Sequence, residues 1–383
     1  MLLIKNVQIH TMAGDIIDNG DILIRDKKIV KIGKDIKEEA KTIDGTNLVA
    51  IPGLVDCHSH IGGISFSRKN SYSEINEMTN NITPDVHVIY GIDTESEDFE
   101  HAYKNGVTTL GITPGSGNVV CGLAFAAKTY GEDIFDMTIK NPIALKVALG
   151  GNPKGTYGRR NQAPSTRMSI PNIMKNLFKE AEEYMNKKNE AQENKEKMPE
   201  YDSKLEAVIP VLKKEIPLKM HCTQHDMLAA IEIAKEFNLN FTLEHAWGAS
   251  KYIEEIAESG CGVVFGPVGS MRTFGESRLI DIESVIELEN RGVLVALTTD
   301  APFLSIDSLI HQAGEVVREG GDLEKVLKMI TINPAKIMGV DDRIGTLEEG
   351  KDADIVLFKG LPAYDTNAKI VYTIINGNVV YSS

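Results

Sequence analysis

The residues of this chain best suited to chemistry are histidines at the ends of apolar, β-type segments. His58 and His60 close the segment that begins at Gly53, in the order His-Ser-His. In a β-strand, residues i and i+2 point to the same side, so both imidazoles would face one site. Two neutral imidazoles at this spacing can bind one divalent cation such as Zn²⁺. The pair alone is a weak signal, because core packing also produces His-x-His.

Further ligand-type residues lie at the ends of later apolar segments. His221 ends Leu-Lys-Met-His, His245 ends Thr-Leu-Glu-His, and Asp300 ends Ala-Leu-Thr-Thr-Asp. Lys146 lies inside the apolar run Ala-Leu-Lys-Val-Ala-Leu. A polar side chain buried at a strand end needs a partner, and one shared metal site explains all of them more simply than separate contacts. We therefore predict that these segments meet at a divalent metal site.

The segments that would position these residues alternate with helical stretches through the middle of the chain. Eight strands alternating with helices over about 280 residues predict a (β/α)8 barrel of the TIM type, with its functional residues at the carboxyl ends of the strands. A doubly wound open sheet is the alternative, and no Gly-rich phosphate-binding fingerprint follows an early strand to support it. The eight apolar runs are 53–60, 107–113, 121–128, 143–150, 217–223, 240–246, 262–266 and 293–300.

Both ends of the chain have the pattern of short strands. β-branched apolar runs fill residues 1–52, and residues 343–383 contain strands around Asn376-Gly377, a dipeptide suited to a two-residue type I′ hairpin. We predict one small β-sandwich domain built from both termini, 1–52 and 343–383, around a barrel of residues 53–342.

Composition limits the class of function. The 383 residues include 41 Lys and Arg against 55 Asp and Glu, a formal net charge of −14, and four Cys. The acidic balance disfavours nucleic acid and anionic membranes as partners, and no apolar run of about 18 residues could span a bilayer. The start lacks the pattern of a secretory signal, and so few cysteines indicate a reducing compartment. We expect a cytoplasmic protein that acts on a small molecule, and we leave open whether it forms a homo-oligomer.

Together the motifs resemble those of the amidohydrolase superfamily. The resemblance rests on Asp-Cys-His-Ser-His at 56–60, the later single histidines, Asp300, Asn-Pro-Ala-Lys-Ile-Met-Gly at 333–339, and Ile-Gly-Thr-Leu-Glu-Glu-Gly-Lys-Asp-Ala-Asp-Ile-Val at 344–356. It covers nearly the whole chain and is nearest to the branch that includes imidazolonepropionase. It implies a distorted (β/α)8 barrel and a β-sandwich from both termini, in agreement with the strand pattern.

The resemblance also implies a set of metal ligands. Lys146 matches the strand-four lysine that some members carboxylate to bridge two metals, most simply zinc ions. Without that bridge the site would be mononuclear, and His245 would lie beside the substrate instead of binding metal. The other matches are the two strand-one histidines, the strand-five and strand-six histidines and the strand-eight aspartate, here His58, His60, His221, His245 and Asp300.

This ligand set implies hydrolysis. A divalent metal lowers the pKa of its bound water towards about 7, and the resulting hydroxide attacks a polarised carbonyl or amidine carbon. Asp300 would act as the base and then as the acid that protonates the leaving nitrogen. His245 would bind a second metal or stabilise the developing oxyanion.

The segment after the fourth barrel strand suggests the substrate. Residues 152–171 contain a lysine, three arginines and no acidic residue. Loops after barrel strands line the mouth of the site, and arginine offers a bidentate fork to a carboxylate. The alternative is a solvated or interface loop. The predicted substrate-binding residues are Arg159, Arg160, Arg167, Tyr157, His225 and Arg272.

The leading prediction is hydrolysis of an amide or cyclic-amide C–N bond in a small, carboxylate-bearing substrate. Imidazolonepropionase and a hydrolase of acyl-amino acids or dipeptides are alternatives. A deaminase is disfavoured, because many deaminases of this group carry His-x-x-Glu on strand five, and here Gln224 takes the place of Glu. A non-catalytic barrel scaffold is the alternative from a different class. Such relatives typically lose ligands, whereas this chain keeps every one.

Overall fold

The structure is a computed structural model that describes residues 1–66, 71–269 and 279–383. Its strands, in chain order, are β1 (Leu2–Ile9), β2 (Ile17–Arg25), β3 (Lys28–Gly33), β4 (Lys41–Asp44), β5 (Leu48–Pro52), β6 (Leu54–Ser59), β7 (Ile64–Ser65), β8 (Tyr72–Ser73), β9 (Val107–Ile112), β10 (Val120–Lys128), β11 (Thr138–Ala148), β12 (Leu218–Cys222), β13 (Phe241–His245), β14 (Gly262–Phe265), β15 (Val295–Leu297), β16 (Ile355–Lys359), β17 (Lys369–Ile375) and β18 (Asn378–Ser382).

The α-helices follow the same numbering along the chain. They are α1 (Glu97–Lys104), α2 (Ile134–Met137), α3 (Gly151–Gly158), α4 (Ser169–Asn194), α5 (Ser203–Leu212), α6 (Asp226–Glu236), α7 (Ile253–Ser259), α8 (Glu283–Asn290), α9 (Ser308–Arg318), α10 (Leu323–Lys328) and α11 (Ile332–Met338). Across the described ranges, none of the helices combines the length and apolar character that crossing a membrane would require.

Eight strands form a TIM-type barrel in the order β6-β9-β10-β11-β12-β13-β14-β15. They coincide with the eight apolar runs of the sequence. Between β15 and β6 the barrel is closed largely by a side chain, because Asp56 Oδ1 accepts a hydrogen bond from Thr298 Oγ1 (2.7 Å) and its Oδ2 accepts one from the Thr299 backbone N–H (2.8 Å). The His60 backbone N–H also donates to the Ala301 carbonyl at 2.7 Å.

One strand departs from the regular parallel order. β10 runs antiparallel to both β9 and β11, whereas β6 and β9, and the successive pairs from β11 to β15, are parallel. The links 113–119 and 129–137 are shorter than the dozen or so residues that a parallel crossover needs, so the chain reverses direction twice. As a result, the first of these links lies at the mouth of the barrel.

Strands from both termini form a second sheet, as the sequence predicts. Its order is β18-β17-β16-β5-β1-β2-β3, with β4 paired to β1. The two chain ends join where β16 runs antiparallel to β5, with Ile355 opposite Pro52. Hydrogen bonds connect all eight strands into one sheet, and residues from its two halves, such as Ile22 and Ile374, share one apolar core.

A buried group of charges, which we call the ion cluster, joins this sheet to the barrel. Lys128 on β10 pairs with Asp354, and its Nζ lies 3.1 Å from Asp352 Oδ2. Asp352 also accepts from Lys28 (2.7 Å) and Arg343 (2.9 Å). The Lys128, Asp352 and Asp354 side chains are almost fully buried. The Lys-Asp-Ala-Asp tail motif therefore has a structural role, because both of its aspartates bind one barrel lysine.

Candidate metal centre

Two histidines and a carboxylate converge at the carboxyl end of the barrel. His60 Nε2 lies 3.1 Å and His58 Nε2 3.5 Å from Asp300 Oδ1. One ligand atom from each of the three residues lies within 4.8 Å of the others. Both imidazoles are buried, and the Asp300 side chain is 17% exposed towards the mouth. Two imidazole nitrogens and a carboxylate oxygen in this arrangement can hold a divalent cation.

His221 and His245 extend this group into a ring of histidines. The ring centroids of His221 and His245 are 4.5 Å apart, and those of His245 and His58 are 4.9 Å apart. Regular strand alternation ends at His245, whose backbone has a left-handed φ of +70°, and Asp300 has φ +54°. Such angles are uncommon for residues other than glycine and are frequent at functional sites.

Hydrogen bonds behind the imidazoles define which nitrogen can bind metal. His60 Nδ1 lies 2.8 Å from the Thr113 carbonyl oxygen, and His245 Nδ1 lies 2.8 Å from the Gly266 carbonyl oxygen. A carbonyl only accepts, so in both rings Nδ1 carries the proton and Nε2 keeps its lone pair. The chemistry of these donors therefore fits a divalent cation.

Burial also determines the charge of His58 and His245. It lowers the pKa of His245 to about 3, with help from His221, and it lowers the pKa of His58 well below the ordinary value, with help from Lys146. Burial alone would raise the pKa of Asp300, but the contact with His60 and the nearby His245 and Lys146 lower it overall. At neutral pH the His58 and His245 imidazoles are therefore neutral and the Asp300 carboxylate is ionised, and these are the forms that bind metal.

Lys146 enters the same group from β11. Its Nζ lies 3.0 Å from His58 Nε2, and its side chain is fully buried. Burial lowers the pKa of Lys146, although Glu244 opposes this shift. A lower pKa increases the fraction of neutral amine, which is the form that can react with carbon dioxide to give a carbamate.

A cavity of about 570 Å³ opens above the ring of histidines. His60, His221, His245 and Asp300 lie at its base. Its walls combine the glycine-rich link 115–117, the polar Asn76 and Asn152, and apolar side chains from Ile75, Met78, Trp247, Pro267 and Phe303. Among the described residues that line it, Arg159 is the one with a permanent positive charge.

The sequence profile of the Amidohydrolase family matches residues 49–380. The chain belongs to this family. This match confirms the superfamily resemblance of the motifs. It also confirms the prediction that the protein is a hydrolase that acts on C–N bonds. The family uses divalent metals, and the histidines and Asp300 supply suitable donors for one.

Individual relatives are distant in sequence, but one solved structure is close. This chain is 25% identical over 375 residues to amidohydrolase tasK of Hapsidospora irregularis. The aligned region covers 90% of this chain but only 38% of that protein. The chain is 26% identical over 382 residues to the imidazolonepropionase of Kosmotoga olearia, with 95% and 91% of the two chains covered. The crystal structure of an amidohydrolase from Thermotoga maritima matches it over 100% of both chains, with a TM-score of 0.95 and 36% identity.

The predicted substrate residues occupy different places in this amidohydrolase. Arg159 follows α3, is exposed and lines the cavity. The prediction of a loop over 152–171 is wrong in part, because residues 151–158 are helical and α4 begins at Ser169. Arg160 instead donates from Nη1 to the Met78 carbonyl (2.7 Å), and Arg167 donates from Nε to Asp226 Oδ2 (3.1 Å).

The remaining three residues lie away from the cavity or outside the described ranges. Tyr157 lies on α3 and is only 2% exposed. It donates its hydroxyl hydrogen to Asn118 Oδ1 at 2.6 Å and so fixes α3 to the residue Asn118. His225 has a side chain that is 64% exposed and lies near Asp226. Arg272 lies outside the described residues.

The site includes a buried layer of charge beneath the histidines that the sequence analysis did not identify. Glu244 Oε2 lies 2.5 Å from His58 Nδ1, and its Oε1 lies 3.0 Å from Lys219 Nζ and accepts a hydrogen bond from Thr242. The signal was present, because Lys219 and Glu244 are charged residues inside apolar strands and each needs a partner. Lys219 also stands two residues before His221, on the same side of its strand.

Proposed function

We propose that this amidohydrolase hydrolyses the C–N bond of an amide or cyclic amide in a small substrate that carries a carboxylate. The observation that carries the proposal is the convergence of His58, His60 and Asp300 below a cavity whose permanent cation, among the described lining residues, is Arg159. The proposed metal ligands are His58, His60, His221, His245 and Asp300, with zinc as the simplest occupant.

Each residue of the centre has a separate task in this proposal. When bound, a divalent cation polarises the scissile carbonyl and acidifies a water molecule. Asp300 is ionised at the mouth, so its carboxylate accepts the proton of the attacking water and returns it to the leaving nitrogen. His245 has its Nδ1 proton bonded to Gly266, so its Nε2 offers a lone pair. This favours a metal-ligand role for His245 over donation to an oxyanion.

Lys146 decides between one metal and two in this proposal. Its buried amine beside His58 supports a carbamate, which would help to hold two metal ions instead of one. Metal analysis of protein grown with added zinc or manganese tests this step. Two ions per chain with bound carbon dioxide support the bridge, and one ion supports the mononuclear site. Less than about 0.2 ion per chain would overturn the metal centre.

Arg159 and the apolar walls define the expected substrate. An arginine fork binds a carboxylate at one end of the cavity, while the apolar side chains cover the rest of a small molecule. The imidazolonepropionase similarity supports a cyclic amide with a propionate arm. An acyl-amino acid or dipeptide also combines an amide bond with a carboxylate.

A substrate screen of the metal-loaded enzyme tests the reaction class. We expect hydrolysis within a panel of lactams, hydantoins, acyl-amino acids and dipeptides that carry a carboxylate. We expect little hydrolysis of the matched neutral analogues, in which a carboxamide replaces that carboxylate. Faster turnover of the neutral amides would overturn the carboxylate assignment. Release of ammonia from aminopurines without hydrolysis of any amide would favour a deaminase instead.

A further inference from the structure

We propose that Glu244 is a positioning residue that holds His58 with its proton on Nδ1 and its Nε2 lone pair directed at the metal site, and that Lys219 holds Glu244 in place. Their alignment is His58 Nδ1 to Glu244 Oε2 at 2.5 Å, then Glu244 Oε1 to Lys219 Nζ at 3.0 Å. The inference rests on the proposed function, because it requires His58 to bind metal.

His58 differs from the other two histidines whose Nδ1 contact is defined. His60 and His245 donate to the backbone carbonyls of Thr113 and Gly266, which no side-chain substitution removes. His58 alone among these three donates to a side chain, and that side chain is an acid. A carboxylate behind a ligand imidazole fixes the ring and makes the opposite nitrogen a stronger donor.

The strand register explains why this carboxylate has a partner. On β12 and β13, Lys219 lies opposite Thr242, and His221 lies opposite Glu244. Lys219 and Thr242 therefore both reach Glu244 Oε1, and the whole group is buried. An unpaired carboxyl group at this depth would be strongly destabilising, and the contacts from Lys219 and Thr242 give Glu244 its partners beneath the histidines.

The same register separates the roles of the two buried lysines. Lys146 and Lys219 lie opposite one another on β11 and β12. Lys219 contacts Glu244, whereas Lys146 contacts His58 Nε2 on the side that faces Asp300. Lys219 therefore pairs with Glu244 beneath the histidines, and Lys146 is the lysine that lies on the side of the proposed metal site.

The test compares Glu244→Gln with the wild-type chain in metal affinity, not in activity alone. We expect the dissociation constant for Zn²⁺, measured by competition with a chelator, to rise about 10- to 100-fold. Glu206→Gln, at a carboxylate that binds Lys188 and Tyr184 far from the centre, is the matched control and should bind Zn²⁺ like the wild type. An unchanged constant in a folded Glu244→Gln variant would overturn the inference.

A second measurement avoids dependence on the variant's folding. Nitrogen-15 NMR of the wild-type, metal-free protein should show the His58 proton on Nδ1, and a proton on Nε2 would also overturn the inference. His58→Ala distinguishes the two proposals. If it binds Zn²⁺ normally, the metal centre itself is wrong; if it loses Zn²⁺ while Glu244→Gln does not, only the positioning role fails.

Discussion

At the scale of single residues, Asp300 combines an ionised carboxylate with a left-handed backbone. It must be ionised beside the buried histidines, and it sits on a left-handed backbone with φ +54°. Asparagine tolerates that backbone better than most residues do, because its short polar side chain bonds locally. A substitution that removes the charge without straining the chain is therefore available at this position.

We expect Asp300→Asn to lower kcat by about 100- to 10,000-fold, because the amide can neither accept nor return the proton. The thermal unfolding midpoint of the metal-free variant should stay close to that of the wild type. Steady-state kinetics and calorimetry check the two halves of this prediction. Near-normal kcat in a metal-loaded variant would contradict the role of Asp300.

Arg159 and Arg160 form a matched pair for testing substrate binding. Arg159 faces the cavity, while Arg160 is bonded to the Met78 carbonyl. Arg159→Ala should raise KM for a carboxylate substrate about 10- to 100-fold by removing a charge-assisted hydrogen bond, and should leave KM for a neutral analogue unchanged. Arg160→Ala should change neither KM value by a comparable factor. Equal effects of both variants on both substrates would mean that the segment is structural.

Residue spacing predicted that His58, His60 and Asp300 would lie close together, because side chains at the carboxyl ends of barrel strands meet at one mouth. His58 and His60 could be paired from their i, i+2 spacing alone. Glu244 could be recognised as a buried charge, but its place beside His58 could not be predicted, because it is the neighbour of His245 and regular alternation puts neighbours on opposite sides. The left-handed φ at His245 breaks that rule, and no local sequence signal announces it.

At the scale of elements, α3 is a glycine-rich helix at the barrel mouth that a buried tyrosine holds in place. It carries Asn152 and leads directly to Arg159, yet its sequence is rich in glycine. Tyr157 holds it to the link 113–119 through Asn118, which also donates to Thr83 at 2.8 Å. Burial raises the pKa of Tyr157 to about 12, so its hydroxyl keeps its proton and remains a donor.

We expect Tyr157→Phe to lower the free energy of unfolding by about 1–3 kcal/mol, because it leaves the buried Asn118 oxygen without this donor. Urea unfolding measures the change. Tyr364→Phe, at a side chain that is 65% exposed, is the control and should change stability by less than about 0.5 kcal/mol. Equal stability of the two variants would show that the Tyr157 bond contributes little.

The sequence predicted the eight barrel strands but not the direction of one of them. Apolar runs identify a buried strand whichever way it runs. The direction of β10 follows from the short links on either side, and α3 was missed because Gly-Asn-Pro-Lys-Gly at 151–155 has the composition of a loop. Packing of Tyr157 overrides that local preference.

At the scale of the whole molecule, the ion cluster holds the terminal sheet to the barrel. Lys128→Met would leave Asp352 and Asp354 buried beside each other without their shared cation. We expect a loss of about 3–5 kcal/mol in the free energy of unfolding. Lys104→Met removes the exposed pair with Glu100 and should cost less than about 1 kcal/mol. Urea unfolding of both variants checks the contrast, and similar losses would contradict it.

The ion cluster should also make stability depend on acidity. Burial alone would raise the pKa of Asp352, but Lys128, Lys28 and Arg343 lower it overall. A carboxyl whose pKa is lower in the folded state stabilises the fold above its ordinary pKa of about 3.9, and that contribution is lost as the pH falls through the folded value. Between pH 7 and pH 3, urea unfolding should show a smaller loss for Asp352→Asn than for the wild type. Equal losses would contradict this assignment.

The pairing of β5 with β16 has a consequence for synthesis of the protein. Pro52 and Ile355 lie about 300 positions apart. At a translation rate of roughly 5–20 residues per second, β16 is therefore synthesised about 15–60 s after β5. During that interval the unpaired edge of β5 is open to strands of other nascent chains. The barrel residues emerge first and can close through Asp56 before the tail arrives. The last forty or so residues therefore complete the terminal sheet and also cover the edge of β5 against pairing with other nascent chains.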